Sequence, residues 1–152
     1  MSTKASTPTS NTVPENAISA PEEDYLYTAT SSVPNAGLGL FTAITIYKDE
    51  IIAEFRGEII SGEEENKRKR EGNDDYFMNL HDGTTLDCKN TFCFAKYAND
   101  AEGTSLKINA FIGMDEQHRV CLIANKTIKA GSEIFCSYGK KYCKKTSHYL
   151  QK

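Results

Sequence analysis

The sequence has no tryptophan, only four prolines among its 152 residues, and no long apolar run. A membrane-spanning helix needs about 20 consecutive apolar residues, so we expect no association with a membrane. No apolar segment follows Lys4 near the N-terminus, which argues against a secretory signal peptide. These absences favour an intracellular protein, in the nucleus or the cytoplasm.

An excess of positive charge is also missing, since the formal net charge is −3. A strong nucleic-acid binder neutralises many phosphates with basic side chains, so direct nucleic-acid binding is not expected. A mildly acidic surface instead suits a basic partner.

The cysteines and histidines lack the spacing of a disulfide framework or a zinc site. There are five cysteines, an odd number, and no two are spaced as Cys-x-x-Cys. We expect reduced thiols packed as small hydrophobic side chains in a reducing compartment. The three histidines do not cluster, and we predict no metal site; they are His81, His118 and His148.

The chain divides into a polar start and a more apolar remainder. Residues 1–22 are rich in Ser, Thr, Pro and Asn, which predicts a disordered N-terminal tail. After the tail, short alternating runs predict strands over residues 25–30, 40–43, 50–55, 59–60, 76–80, 84–87, 120–124 and 133–136. One helix is predicted from Ser61, as a hydroxyl cap, to Gly72. Many short strands with one or two helices indicate a mainly β or α+β fold.

Three short segments carry candidate functional residues, and each also has an ordinary structural interpretation. Gly37-Leu38-Gly39 is either a tight glycine turn or a flat backbone edge for a cofactor. Asn99-Asp100 is either a turn or an amide that pairs with an adenine edge. Tyr138, which follows a predicted strand and precedes a glycine, is either a half-buried tyrosine or a hydroxyl at the end of a channel.

A basic cluster over residues 67–70 has two interpretations as well. It resembles a nuclear localisation signal, but acidic residues stand before and after it. A solvated helix face with mixed charge is therefore favoured.

In this order and at these spacings, the segments resemble the SET domain of protein lysine methyltransferases. The resemblance covers about residues 23–143, and we predict a SET domain over residues 23–145 with 146–152 as a C-terminal tail. It rests on Gly37-Leu38-Gly39-Leu40-Phe41, Glu54-Phe55-Arg56-Gly57-Glu58, Asp75 to Leu80 with Leu86-Asp87-Cys88, Tyr97 to Ala101 with Asn109, and Gly131 to Gly139.

The resemblance implies a SET (β-clip-like) fold of small curved sheets with a threaded C-terminal segment. It also implies S-adenosylmethionine as the methyl donor and a lysine-containing protein, most commonly a histone tail, as the substrate. Tyr138 would be the catalytic residue. The implied cofactor-binding residues are Leu38, Gly39, Asn99, Asp100, Tyr138 and Tyr142, and the implied substrate-channel residues are Tyr76 and Cys136.

The chain departs from the family pattern at specific positions. Asp100 replaces the usual histidine and Ala101 the usual serine, and no cysteine motif of a zinc-binding post-SET element follows Tyr138. Cys136 stands where relatives carry a larger aromatic residue that limits the number of methyl groups transferred, which predicts a pocket that accepts di- or trimethylation.

Two other interpretations stay open at this stage. A catalytically silent SET module could bind a partner through the same groove, and the departures at Asp100 and Ala101 support that alternative. The motif matches could also arise by chance in an unrelated β-rich domain. A homodimer that completes the substrate groove is compatible with so short a chain.

Overall fold

The computed structural model describes residues 16–137, which form mostly short β-strands with two helices. The mainly β architecture predicted from the alternating pattern is confirmed. The helices are α1 (Glu22–Tyr25) and α2 (Gly62–Arg70), and Ala95–Tyr97 forms a 3-10 turn. The strands are β1 (Leu26–Thr30), β2 (Leu38–Thr42), β3 (Ile51–Glu54), β4 (Glu58–Ile60), β5 (Phe77–Asn79), β6 (Thr85–Asp87), β7 (Asn99–Asp100), β8 (Ala110–Met114), β9 (Val120–Ala124) and β10 (Glu133–Cys136).

The strands form two sheets. The larger has the order β1-β2-β10-β8-β9-β3, with β7 joined to it through β10, and the smaller has the order β4-β6-β5. Most pairs are antiparallel, but β10 runs parallel to both β7 and β8. A register shift between Ile51 and Ala53 interrupts the pairing of β3 with β9, as a β-bulge does. Because β10 lies inside the larger sheet, the residues at its end are fixed by several neighbours.

The hydrophobic core lies against the larger sheet. Its fully buried side chains come from several strands and from the two turns that pair through an isolated bridge between Ile46 and Ile128. Burial of each such aliphatic side chain contributes about 1.5–3 kcal/mol relative to exposure. The large aliphatic members are Leu40, Ile46, Ile52, Leu122, Ile128 and Ile134.

The N-terminal end of the described chain is ordered earlier than the sequence predicted. Ala17 forms a parallel bridge with Ile51, and the Asn16 side-chain amide donates to the carbonyl of Asp49 at 3.0 Å. Ile18 packs against the core. The polar composition of residues 1–22 predicts a disordered tail, yet its last residues contact β3, the turn before β3 and the core. The division of the remaining chain into domain and tails stays a prediction.

Helix α2 begins directly after Ser61, so the predicted position of the helix and of its N-cap residue is confirmed, but the predicted hydroxyl cap is not formed. Ser61 has extended backbone and makes no side-chain capping hydrogen bond. Three members of the basic cluster, Lys67, Lys69 and Arg70, are exposed, as a solvated face predicts, whereas Arg68 is partly buried. The helix is attached through Arg68, whose guanidinium contacts Glu58 and Asp87 of the smaller sheet at 2.8 Å each.

None of the helices within residues 16–137 is both long and apolar enough to cross a membrane. The four cysteines in this part of the chain are buried, as expected for small hydrophobic side chains, and none of them forms a disulfide there.

Candidate active site

Three strands bring predicted site residues together. Strand β10 pairs antiparallel with β2, with Ile134 opposite Leu40, and parallel with β7. In the parallel pair, Asn99 lies opposite Phe135 and Asp100 opposite Cys136. Four predicted cofactor-binding residues and one predicted channel residue therefore lie in a single region, although they are far apart in sequence: Leu38, Gly39, Asn99, Asp100 and Cys136.

Asn99 links β7 to the start of β2. Its side-chain amide donates a hydrogen bond to the main-chain carbonyl of Leu38 at 3.1 Å. The Leu38 side chain itself is 48% exposed, so an apolar surface lies beside a polar amide. This arrangement explains why an amide is suited to this position, since the link requires a donor.

The two glycines of the predicted cofactor edge, Gly37 and Gly39, are required for different structural reasons. Gly37 has a φ of 77°, which favours glycine in a turn. Gly39 lies inside β2, opposite Ala29, and the space where its side chain would stand is occupied by the Glu133 carboxylate. The tight-turn interpretation thus applies to Gly37 and not to Gly39.

Asp100 organises the loop that follows β7. Its carboxylate accepts a hydrogen bond from the main chain of Glu102 at 2.8 Å. The Glu102 carboxylate in turn accepts from the Ser137 hydroxyl at 2.6 Å, and the main-chain N–H of Ala101 donates to the Cys136 carbonyl at 3.1 Å. The loop after Asp100 therefore holds the end of β10 immediately before Tyr138.

Cys136 is fully buried at the end of β10, and Asn109 holds the residues before it. The Asn109 side chain donates to the Glu133 carbonyl at 3.0 Å and accepts from the Phe135 main chain at 2.9 Å. Its main-chain N–H also donates to the Phe135 carbonyl at 3.0 Å. Asn109 matched the family motif in sequence, and these three hydrogen bonds give it a role in fixing β10.

Tyr76 lies half-buried in a second group of side chains, which includes Lys96. The Lys96 ammonium lies 5.3 Å from the centre of the Tyr76 ring and 5.8 Å from that of Tyr97. Burial, the Asp75 carboxylate and Tyr97 raise the pKa of Tyr76, so it stays a neutral phenol at physiological pH.

Sequence reasoning missed the role of Lys96. Its ammonium donates to the carbonyls of Cys88, Lys89 and Thr91 at 3.0–3.2 Å. A single lysine in an apolar context has no distinctive sequence signal, and only the folded loop shows its three acceptors. Lys96 fixes the segment that leads into Asn99.

Two buried thiols lie in the same segment, Cys88 and Cys93. A hydrogen bond from Cys88 is the main cause that lowers the pKa of Cys93, against the opposing effect of burial. The same contact and burial raise the pKa of Cys88.

Other predictions from the sequence concern the C-terminal residues and metal binding. Tyr138, Tyr142 and the threaded C-terminal segment fall outside the described residues. Within residues 16–137, no group of three or more His, Cys, Asp or Glu side chains is placed to hold a metal ion. A cavity of about 540 Å³ lies elsewhere, and its lining includes Phe55, Leu86, Met114 and Val120 but no predicted site residue.

Comparison with known proteins identifies the family. Residues 37–139 match the SET domain, and this match covers most of the chain. The chain belongs to the SET domain family. The predicted SET fold is also confirmed by similarity to solved structures, with a TM-score of 0.65 in one case.

Curated relatives include plant histone-lysine N-methyltransferases. The chain is 32% identical to EZA1 of Arabidopsis thaliana over 68% of its own length, and 30% identical to EZ1 of Zea mays over the same share. It spans only 12% and 11% of those proteins, respectively.

Solved structures with the same fold include Polycomb Repressive Complex 2 of Chaetomium thermophilum. A humanised mutant bound to the inhibitor GSK126 has a TM-score of 0.65 at 27% identity, and covers 78% of this chain and 15% of the compared chain. An autoinhibited form bound to S-adenosylmethionine has a TM-score of 0.64 at 26% identity, with 84% and 16% covered.

Proposed function

We propose that the protein is an S-adenosylmethionine-dependent protein-lysine N-methyltransferase. The observation that carries the proposal is the meeting of Leu38, Asn99, Asp100 and Cys136 where β2, β7 and β10 adjoin, in a chain of the SET domain family. Each residue was selected from the sequence for a role in binding or transfer. Their convergence supports a common site for those roles.

The residues at this site fit the chemistry of S-adenosylmethionine. The exposed Leu38 side chain beside the Asn99 amide offers an apolar face next to a polar group, which suits an adenine ring. A carboxylate at Asp100 is electrostatically favourable near a sulfonium. The main chain at Leu38 and Gly39, together with Asn99, Asp100, Tyr138 and Tyr142, would hold the cofactor, which supplies an electrophilic methyl group when bound.

The chain's own residues would prepare the substrate lysine for displacement. Free lysine has a pKa of about 10.4, so a neutral amine is rare at pH 7. An aromatic channel that includes Tyr76 disfavours the ammonium by desolvation, and proton loss then needs no dedicated base. The Tyr138 hydroxyl would orient the amine through position and dipole, and Cys136 would leave room for more than one methyl group.

The proposed substrate is a lysine in a histone tail. The curated relatives are histone-lysine N-methyltransferases, and the net charge of −3 suits a basic peptide. Three acidic residues that precede Tyr76 in the sequence add little to this argument because each has a basic partner: Glu64, Glu65 and Asp75 pair with Arg68, Lys69 and Lys89, respectively. A histone substrate would place the protein in the nucleus.

The catalytically silent module is the rival candidate, and the test is transfer itself. S-adenosylmethionine with a labelled methyl group is incubated with the full chain and an array of histone-tail peptides, each matched with a lysine-to-arginine version. We expect label only on lysine-containing peptides. Cofactor binding without transfer to any peptide would favour the silent module, and sedimentation of the same sample would test the predicted homodimer.

A further inference from the structure

Glu133 is a buried carboxylate that the proposed reaction does not use. It is 7% exposed at the start of β10. Its carboxylate accepts from the Ser31 hydroxyl at 2.6 Å and from the Ser32 main chain at 2.8 Å. Burial of a carboxylate is unfavourable unless such hydrogen bonds compensate, so this placement requires its partners.

The residues that donate to Glu133 lie in the loop between β1 and β2. Ser31 is the first residue of this loop, and its main-chain N–H donates to the carbonyl of Gly37 at 2.8 Å. The Ser31 hydroxyl also accepts from the Val33 main chain at 3.0 Å. Glu133 therefore holds the base of the loop over residues 31–37, immediately before Leu38.

The Glu133 carboxylate also lies directly against Gly39. A Cβ at Gly39 would collide with Oε2 of Glu133, and would lie 3.0 Å from its Cδ and 3.1 Å from Cβ of Ser31. The backbone of Gly39 is ordinary strand, since its φ is not among the positive values. Close approach, and not backbone conformation, is what requires a glycine here.

We infer that Glu133 is a positioning residue for the cofactor edge, and that Gly39 is a glycine because the Glu133 carboxylate fills its side-chain space. The face of Gly39 toward Glu133 is then closed to any ligand. The loop over residues 31–37 and the start of β2 are held as one unit by a buried charge from β10. The positioning role of Glu133 concerns the cofactor and rests on the proposed function. The reason for glycine at position 39 concerns the fold alone.

The relation between Gly39 and Glu133 is tested by a double-mutant cycle in which unfolding by denaturant is measured. We expect Gly39→Ala to raise the unfolding equilibrium constant at least tenfold in the native background, and less than about threefold when Glu133→Ala removes the colliding carboxylate. Glu133→Gln keeps the bulk, so the full cost of Gly39→Ala should remain there. Equal costs in the native and Glu133→Ala backgrounds would overturn the inference.

Controls separate a local collision from general loss of stability. Gly113→Ala is the matched control, because Gly113 also lies in a strand and its nearest neighbour would be a flexible side-chain atom, Cδ1 of Ile123, at 3.1 Å. Its cost should be the same with and without Glu133. If Glu133→Ala does not fold, Glu133→Asp withdraws the carboxylate by one methylene and completes the cycle.

The positioning role of Glu133 is tested by calorimetric titration of the protein with S-adenosylmethionine. Glu133→Ala should raise the Kd about tenfold and leave kcat at saturating cofactor within a factor of about two, with Glu133→Gln in between. A Kd equal to that of the native protein would overturn the positioning role. If the native protein itself binds no S-adenosylmethionine, the proposed function fails, and the unfolding cycle still decides the relation between Gly39 and Glu133.

Discussion

The side-chain amide of Asn99 is hydrogen-bonded to the main-chain carbonyl of Leu38 at 3.1 Å, although the two residues are 61 positions apart. The bond joins β7 to the start of β2, and β10 pairs with both strands. Beyond the pairing of both strands with β10, this side-chain hydrogen bond ties β7 directly to β2. Asn99 is accordingly the residue whose removal should disturb the site most and the core least.

Asn99→Ala should weaken binding of S-adenosylmethionine by about tenfold. Loss of one hydrogen bond costs about 0.5–1.5 kcal/mol, and the Leu38 main chain would lose its anchor as well. Calorimetric titration measures the Kd, and Asn90→Ala is the control because Asn90 is exposed in the turn after Asp87. Equal affinity in the Asn99→Ala and native proteins would remove Asn99 from the cofactor site.

Arg68→Ala should destabilise the protein by about 3 kcal/mol and release α2 from the smaller sheet. The Asp87 side chain is 2% exposed, and removal of its guanidinium partner leaves a buried charge without its counter-ion. Hydrogen exchange of α2 amides and urea denaturation measure the two effects. Arg68→Ala combined with Asp87→Asn should recover part of the loss, and a double variant as unstable as the single one would contradict this account.

Asp115→Asn should lower stability at neutral pH, with an effect that disappears in acid. Burial acts to raise the pKa of Asp115, but hydrogen bonds from the main chain and guanidinium of Arg119 outweigh it and lower the pKa. A carboxyl with a lowered pKa stabilises the fold above its unfolded pKa of about 3.9, and this contribution is lost as the pH falls through the folded value.

Urea denaturation at pH 7, 5 and 3 tests the prediction for Asp115. The native protein should exceed the variant by about 1–2 kcal/mol at pH 7 and pH 5, because a charged hydrogen bond to Arg119 at 2.7 Å is lost. The difference should be smaller at pH 3 than at pH 5, because the contribution declines below the unfolded pKa and is lost as the pH falls through the lowered folded pKa. A difference that is independent of pH would assign the effect to packing and not to charge.

Cys136→Tyr should reduce the number of methyl groups transferred. Cysteine is small, and we expect the native protein to yield di- or trimethylated lysine, whereas a bulky ring in the same place would restrict the product to monomethyl-lysine. Mass spectrometry of the peptide product measures the distribution. Cys136 is fully buried, so overpacking of about 1–3 kcal/mol is expected and thermal unfolding must confirm that the variant is folded. Only monomethyl product from the native protein would refute the prediction.

Local sequence patterns predicted most of the fold. Strands β1, β9 and β10 are alternating or continuously apolar runs bounded by turn residues, and α2 has acids in its first turn and bases in its last. Strand β8 was missed because Ala110–Met114 contains a glycine and has no regular alternation. The ordered stretch before α1 was missed because its contacts with β3 are distant in sequence.

The assembly of the site could be predicted only through the family resemblance. Asn99-Asp100 has the composition of a turn, yet pairs in parallel with β10, and nothing local specifies a two-residue parallel strand. Nothing local explains the glycine at position 39 either, because the carboxylate that fills its side-chain space belongs to Glu133, 94 positions later in the sequence. Contacts of this kind depend on tertiary structure, which composition and periodicity do not describe.

The most direct test of the central claim is single-turnover methyl transfer from labelled S-adenosylmethionine to a lysine peptide, by the native protein and by Tyr138→Phe. Removal of one hydroxyl that orients the reacting groups should lower the transfer rate at least 100-fold while the Kd for the cofactor changes less than about threefold. Transfer by Tyr138→Phe at a near-native rate, or none by a native protein that binds cofactor, would contradict the account.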